Sequence, residues 1–205
     1  MSLLVQTLAA RRMSVVLLLT LGLFAAPPAS AATLSIVPSA QTGDVGTLFA
    51  VDLTISGLGE GTEPSLGVYD IDLTFDPVIL SFVEVHWGTA LDLSGFGSFR
   101  TATPAFGLLN LFELSFDPVA TLNALQPAEF VLATIVFAGI GIGQSELQAT
   151  INALGDAAGA PLSADLTPGS ISVGVAAIPE PASIVLLVSG VSIMGARRLR
   201  HIRRG

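Results

Sequence analysis

Along most of the middle of the chain, apolar and polar residues alternate with a period of two. Phe49, Val51, Leu53 and Ile55 alternate with Ala50, Asp52, Thr54 and Ser56, and Tyr69, Ile71, Leu73 and Phe75 alternate with Asp70, Asp72 and Thr74. Phe112, Leu114 and Phe116 alternate with Leu111, Glu113 and Ser115. Val131, Ala133, Ile135 and Phe137 follow, then Leu147, Ala149 and Ile151, and finally Ile171 and Val173. Successive side chains of a strand point to opposite faces, so this pattern predicts strands with one buried face, the apolar member of each pair inward. Clusters of glycine, proline, aspartate and serine separate the runs. No stretch between residues 32 and 177 shows helical periodicity. Several antiparallel strands with a polar outer face predict an all-β, antiparallel two-sheet sandwich. Asp70 and Asp72 are then expected on the solvent face, opposite Tyr69, Ile71 and Leu73.

The two ends of the chain are built differently. Arg11 and Arg12 precede an apolar run from Met13 to Ala26, Pro27-Pro28 break it, and Ala29-Ser30-Ala31 is a small-x-small cleavage site. Residues 1–31 thus read as a secretory signal peptide, cut at Ala29–Ala31 by signal peptidase. At the other end, Pro179-Glu180-Pro181 precede an uncharged run from Ala182 to Ala196, followed by Arg197, Arg198, Arg200, Arg203 and Arg204. As a helix that run is roughly 22 Å long, and flanking arginines extend its reach toward the roughly 30 Å hydrocarbon core. The arginine cluster predicts a cytoplasmic C-terminus. The expected organisation is 1–31 signal helix, 32–177 sandwich domain, and 178–205 motif, transmembrane helix and basic tail.

The order Pro-Glu-Pro, apolar run, arginine tail resembles the PEP-CTERM sorting signal of Gram-negative bacteria. The resemblance implies recognition by an exosortase, processing near Pro179-Glu180-Pro181, and delivery to the cell surface or an exopolysaccharide-rich biofilm matrix. The inner membrane would hold the chain through its C-terminal helix before processing.

Charge narrows the partners. Arg100 is the only basic residue between the signal region and the tail, the chain has no lysine, and fifteen of its sixteen acidic residues lie between Asp44 and Asp165. Nothing is available to neutralise phosphates, which excludes nucleic acid. The carboxylates keep an apolar-rich exported domain soluble; the sharper alternative is divalent-cation binding, with Asp70 and Asp72 as calcium candidates. The absence of cysteine excludes disulfides, thiolate metal sites and a cysteine nucleophile.

A second resemblance lies in the strands. Gly43-Asp44 with the strand Phe49–Ser56, the run Val68–Pro77 followed by Leu80–Val85, and the strand Phe130–Phe137 are similar to a cohesin-type domain, a jelly-roll relative of carbohydrate-binding modules. In this pattern Asp76 caps a tight turn, Pro77 presets its φ, and Leu80 drops into the core. Catalytic residues are not discernible: His86 is the only histidine of the domain and has no motif-flanked serine partner. Trp87, the only tryptophan, is the candidate for sugar stacking, and Gly88–Gly107, carrying Arg100, reads as a long surface loop. No cofactor is called for. The expected function is a non-catalytic surface or matrix protein that binds exopolysaccharide or a matrix protein. The alternative is a hydrolase acting on extracellular polysaccharide.

Overall fold

The computed structural model describes residues 32–175. The signal region with Ala29 and Ala31, and the segment containing Pro179, Glu180, Pro181 and the arginine cluster, lie outside the described residues. Eleven strands are present among them: β1 Ala32–Val37, β2 Ala40–Asp44, β3 Leu48–Ser56, β4 Leu66–Thr74, β5 Leu80–Trp87, β6 Ser98–Ala105, β7 Leu108–Ser115, β8 Phe130–Gly139, β9 Gly143–Asp156, β10 Ala164–Thr167 and β11 Gly169–Gly174. They form a five-stranded sheet ordered β10-β1-β3-β8-β5 and a six-stranded sheet ordered β2-β11-β9-β4-β7-β6. The core between them is made of the inward members of the alternating runs. Phe49, Val51, Leu53, Ile55, Tyr69, Ile71, Leu73, Ala133, Ile135 and Phe137 are all buried. The Phe75 ring is partly buried and packs on Phe137, centroids 5.1 Å apart.

The turn after β4 follows the expectation. Asp76 Oδ1 accepts the Val78 N–H at 2.9 Å, and the Asp76 carbonyl accepts from Ile79 and Leu80. Leu80 is buried against the core.

Three expectations need correction. The sandwich is not wholly antiparallel: β1 runs parallel to β10, and β2 parallel to β11. Near Pro38 and again near Pro168 the chain leaves one sheet and enters the other. The two crossing segments descend side by side, joined by a Ser170 N–H to Ser39 carbonyl bond of 2.9 Å. Proline suits such a crossing because it has no N–H to give to a ladder.

The stretch Gly88–Gly107 is not a loop throughout. Its second half is β6, an edge strand where Pro104 is tolerated. Its first half is held down by carboxylates: Asp117 accepts the Leu93 and Ser94 N–H groups, and Asp92 Oδ1 accepts that of Gly97 at 2.8 Å. A short helix, α1 (Val119–Leu125), also interrupts the β pattern. Seven residues with one buried side chain, Leu122, are too few to write a helical period into the sequence. The buried Gln126 after it donates to the Leu66 and Ala90 carbonyls at 3.0 Å each, tying the helix to β4.

Candidate functional site

The third correction concerns β7 and defines the site. Its apolar side was expected to be Phe112, Leu114 and Phe116; instead Leu109, Leu111 and Glu113 are buried and those three face outward. The cause is register. Directly paired residues of antiparallel strands lie on the same face, and Tyr69, Ile71 and Leu73 of β4 pair with Glu113, Leu111 and Leu109. The unambiguous phase of β4 therefore dictates that of β7.

Glu113 is only 1% exposed, and its burial is compensated by three donors. Its Oε1 accepts from Arg100 Nε and from Ser98 Oγ, both at 2.7 Å, and its Oε2 accepts from the Tyr69 hydroxyl at 3.1 Å. Arg100 Nη2 also donates to the Gly88 carbonyl at 3.1 Å. The one cation of the domain is thus committed to a structural ion pair between the sheets. Burial, and then the charge and hydrogen bond of Glu113, hold the Tyr69 hydroxyl proton well above the usual phenol range.

The outward phases of β9, β4, β7 and β6 make a continuous solvent-facing surface with two halves. In the polar half, Asp70 and Asp72 of β4 lie beside Asn110 of β7. The Asn110 amide donates to Asp70 Oδ1 at 2.6 Å and to Asp72 Oδ1 at 2.8 Å. A register shift in β9 opposite Asp70 and Ile71 leaves Asn152 as an extra residue, and its amide adds a second donor to Asp70 at 3.2 Å. The carboxylates are therefore partly exposed, as expected, but are gathered by amides. Among the described residues, no group of three or more His, Asp or Glu side chains is placed to hold a metal.

In the apolar half, Phe99 pairs with Leu114 across β6 and β7, and its ring meets Phe112 nearly edge-on, centroids 6.0 Å apart. Phe116 continues the strip, its N–H bonded to the Gly97 carbonyl beside Phe96. Phe99 and Phe116 are each 55% exposed. Sequence reasoning missed this strip because it placed Phe99 in a loop and the β7 aromatics in the core.

The other sequence candidates lie elsewhere. Trp87 ends β5, half-buried and packed on the core. His86 and Glu84 share the outer face of β5 as an exposed pair 3.3 Å apart. A cleft of about 300 Å³ opens between β5 and the β6–β7 turn, lined by Phe75, Pro77, Leu80, Phe82, Pro104 and Phe106 among others. No titratable side chain lines it, so it offers no general acid or base.

No protein-family model matches the sequence, and no curated protein matches it. Solved structures do. The sixth cohesin of scaffoldin B from Acetivibrio cellulolyticus, in complex with a Cel5 dockerin, aligns over 70% of this chain and 99% of its own, with TM-score 0.57 and 19% identity. A type I cohesin–dockerin complex from Clostridium thermocellum gives TM-score 0.57 at 13% identity, over 70% and 99% of the two chains. A non-cellulosomal cohesin from the archaeon Archaeoglobus fulgidus gives 0.53 at 15%, over 75% and 95%. At these identities the likeness is one of architecture, and it establishes that residues 32–175 have the cohesin fold.

Proposed function

We propose that this chain is an exported, non-catalytic binding module that holds a protein partner on the outer face of its six-stranded sheet. The observation that carries this reading is the strip of exposed Phe99, Leu114 and Phe116 with half-buried Phe112, set directly against the amide-gathered Asp70 and Asp72. A contiguous exposed apolar patch bordered by fixed polar groups is the signature of an interaction surface. The face is acidic and carries no cation, which suits a partner presenting apolar side chains together with hydrogen-bond donors or positive charge. Two of the similar cohesins are solved as complexes with dockerins, so in those proteins the fold carries a protein ligand. The platform consists of phenylalanines, and the single tryptophan is packed on the core; this favours a matrix protein over exopolysaccharide, whose rings stack on exposed Trp and Tyr.

Delivery follows the sequence of the ends. Signal peptidase would cut after Ala31, the run 182–196 would hold the chain in the inner membrane with Arg197–Arg204 on the cytoplasmic side, and an exosortase-type enzyme would act near Pro179-Glu180-Pro181. The product would reside at the cell surface or in the extracellular matrix. Intact-mass measurement of protein isolated from its host is expected to show a start at Ala32 or Thr33 and loss of the tail. An extracellular form retaining Arg203 and Arg204 would overturn the sorting reading.

The binding reading is tested with Phe99→Ser and Leu114→Ser. Both residues are surface-exposed, so stability should change by less than about 0.5 kcal/mol each. Capture of a matrix protein should fall at least about tenfold, as for loss of an interface anchor. Capture that survives proteolysis of the matrix, or that ignores both substitutions, would refute a protein partner on this face. Release of reducing ends from matrix polymer, abolished by one carboxylate change, would instead support a hydrolase.

A further inference from the structure

The sandwich has two unlike ends. Strand pairings place the β2–β3, β4–β5, β6–β7 and β8–β9 turns, and the exit of β11, at the same end. These five segments are laced together by backbone hydrogen bonds. Val45 N–H donates to the Gly174 carbonyl at 3.1 Å, Gly46 N–H to Gly139 at 2.8 Å, Ile140 N–H to Ile79 at 2.8 Å, and Phe75 N–H to Gly107 at 3.0 Å. Each segment presents a large apolar side chain to solvent. Phe106 is 88% exposed, Val78 and Val175 are each 71% exposed, and Val45, Ile140 and Ile142 are exposed beside them. The acidic residues of this end are Asp44 and Asp76, and the Asp76 carboxylate is already engaged with the Val78 N–H. Loops at the opposite end carry Glu60, Glu63, Asp92, Asp117, Glu129 and Asp156. The chain therefore concentrates charge at one end and apolar turn tips at the other.

We propose that the apolar end seats on the lipid surface of the membrane that anchors the chain, so that the domain stands on its β-turn tips. The occupant is set by where the chain goes next. Val175 leaves from among these tips, and the uncharged run Ala182–Ala196 begins seven residues later. Seven residues reach at most about 25 Å even when fully extended. If 182–196 lies in the bilayer, the turn tips are the part of the domain held against its surface. This step rests on the membrane reading of 182–196 proposed above. Apolar side chains on a rigid platform gain by burial in the boundary between headgroups and acyl chains. With no basic residue at this end, attraction to anionic lipid plays no part, so uncharged-on-balance phosphatidylcholine should serve, and anionic lipid should weaken the contact. The binding face on the six-stranded sheet, perpendicular to this end, would stay free for a partner.

The test uses the full chain reconstituted in phosphatidylcholine vesicles. The absence of cysteine allows single labelling sites: Ala105→Cys beside Phe106, Glu60→Cys at the opposite end, and Ser189→Cys within the apolar run. An environment-sensitive dye is read against lipid-borne quenchers, one near the headgroups for positions 105 and 60 and one deep in the acyl chains for position 189. At least twofold quenching at positions 105 and 189, with none at 60, is expected. Adding Val78→Ser with Phe106→Ser should release the quenching at 105 and leave that at 189. Quenching at 189 with position 105 as free as 60 would overturn the seating and leave the anchor standing. Quenching at 105 without 189 would support the seating and refute the anchor, and no quenching at either site would refute both. A blue-shifted but unquenched dye at 105 would mean that protein, such as a second copy, covers this end, and would overturn the proposal, as would a serine pair without effect.

Discussion

Arg100→Ala is expected to destabilise the domain by about 3–5 kcal/mol, the range for breaking a buried ion pair from one side. Glu113 stays buried whatever happens to its partner, because its strand is locked in register by Ile71–Leu111 and Leu73–Leu109. Without the guanidinium its carboxylate keeps only the Ser98 and Tyr69 hydroxyls as side-chain donors. Arg100→Lys should restore only part of the loss, since the guanidinium serves Glu113 through Nε and the Gly88 carbonyl through Nη2, a fork that an ammonium cannot reproduce. Arg100→Met combined with Glu113→Gln should recover most of it by removing both charges together. Urea melts of the four proteins check this. A cost below about 1 kcal/mol for Arg100→Ala would show that the pair is not needed to bury Glu113.

The second large effect is alkaline. The chain has no lysine and no cysteine, and Tyr69 is its only tyrosine. Between about pH 8.5 and 12, then, Tyr69 is the one side chain that titrates. In the folded domain its proton is held by burial and by Glu113, while in the unfolded chain it leaves near the ordinary value of 10.0. Above that value the unfolded state binds fewer protons than the folded state, so stability falls as pH rises, by about 1.4 kcal/mol per pH unit. Below it the contribution is fully present. Denaturant melts across this range should show the slope, and phenolate absorbance should appear only with unfolding. Tyr69→Phe should flatten the slope. Phenolate formation near pH 10 in a domain that is still folded would contradict the Tyr69–Glu113 contact.

Where a strand carried one clean phase, as in Phe49–Ile55 and Tyr69–Phe75, alternation alone was enough to place the core. The turn at Asp76–Leu80 was readable for a related reason: its cap, its proline and its inserted leucine are all local. Strand β7 was not readable in isolation. Leu109 and Leu111 make one phase apolar while Phe112, Leu114 and Phe116 make the other more so, and only pairing with β4 decides between them. Single-strand hydrophobicity assigned Glu113 to solvent, whereas register buries it. The lone Arg100 was a signal of that burial, since a single cation among fifteen carboxylates is most useful where one of them cannot reach water. The binding strip was hidden by the same inversion. The parallel strand pairs depend on contacts between the two extremes of the domain, which no local window contains.

Those parallel pairs bear on how the domain carries mechanical load. The first segment (β1, then β2) and the last (β10, then β11) descend side by side in the same direction, one pair in each sheet, so Ala32 and Gly174 sit at opposite ends of these adjacent segments. Tension applied between the two ends pulls these neighbours past one another along their length. Their hydrogen bonds are then strained together in shear instead of being peeled apart singly. A domain pulled at these two points would resist up to a threshold and then yield abruptly, instead of unzipping strand by strand.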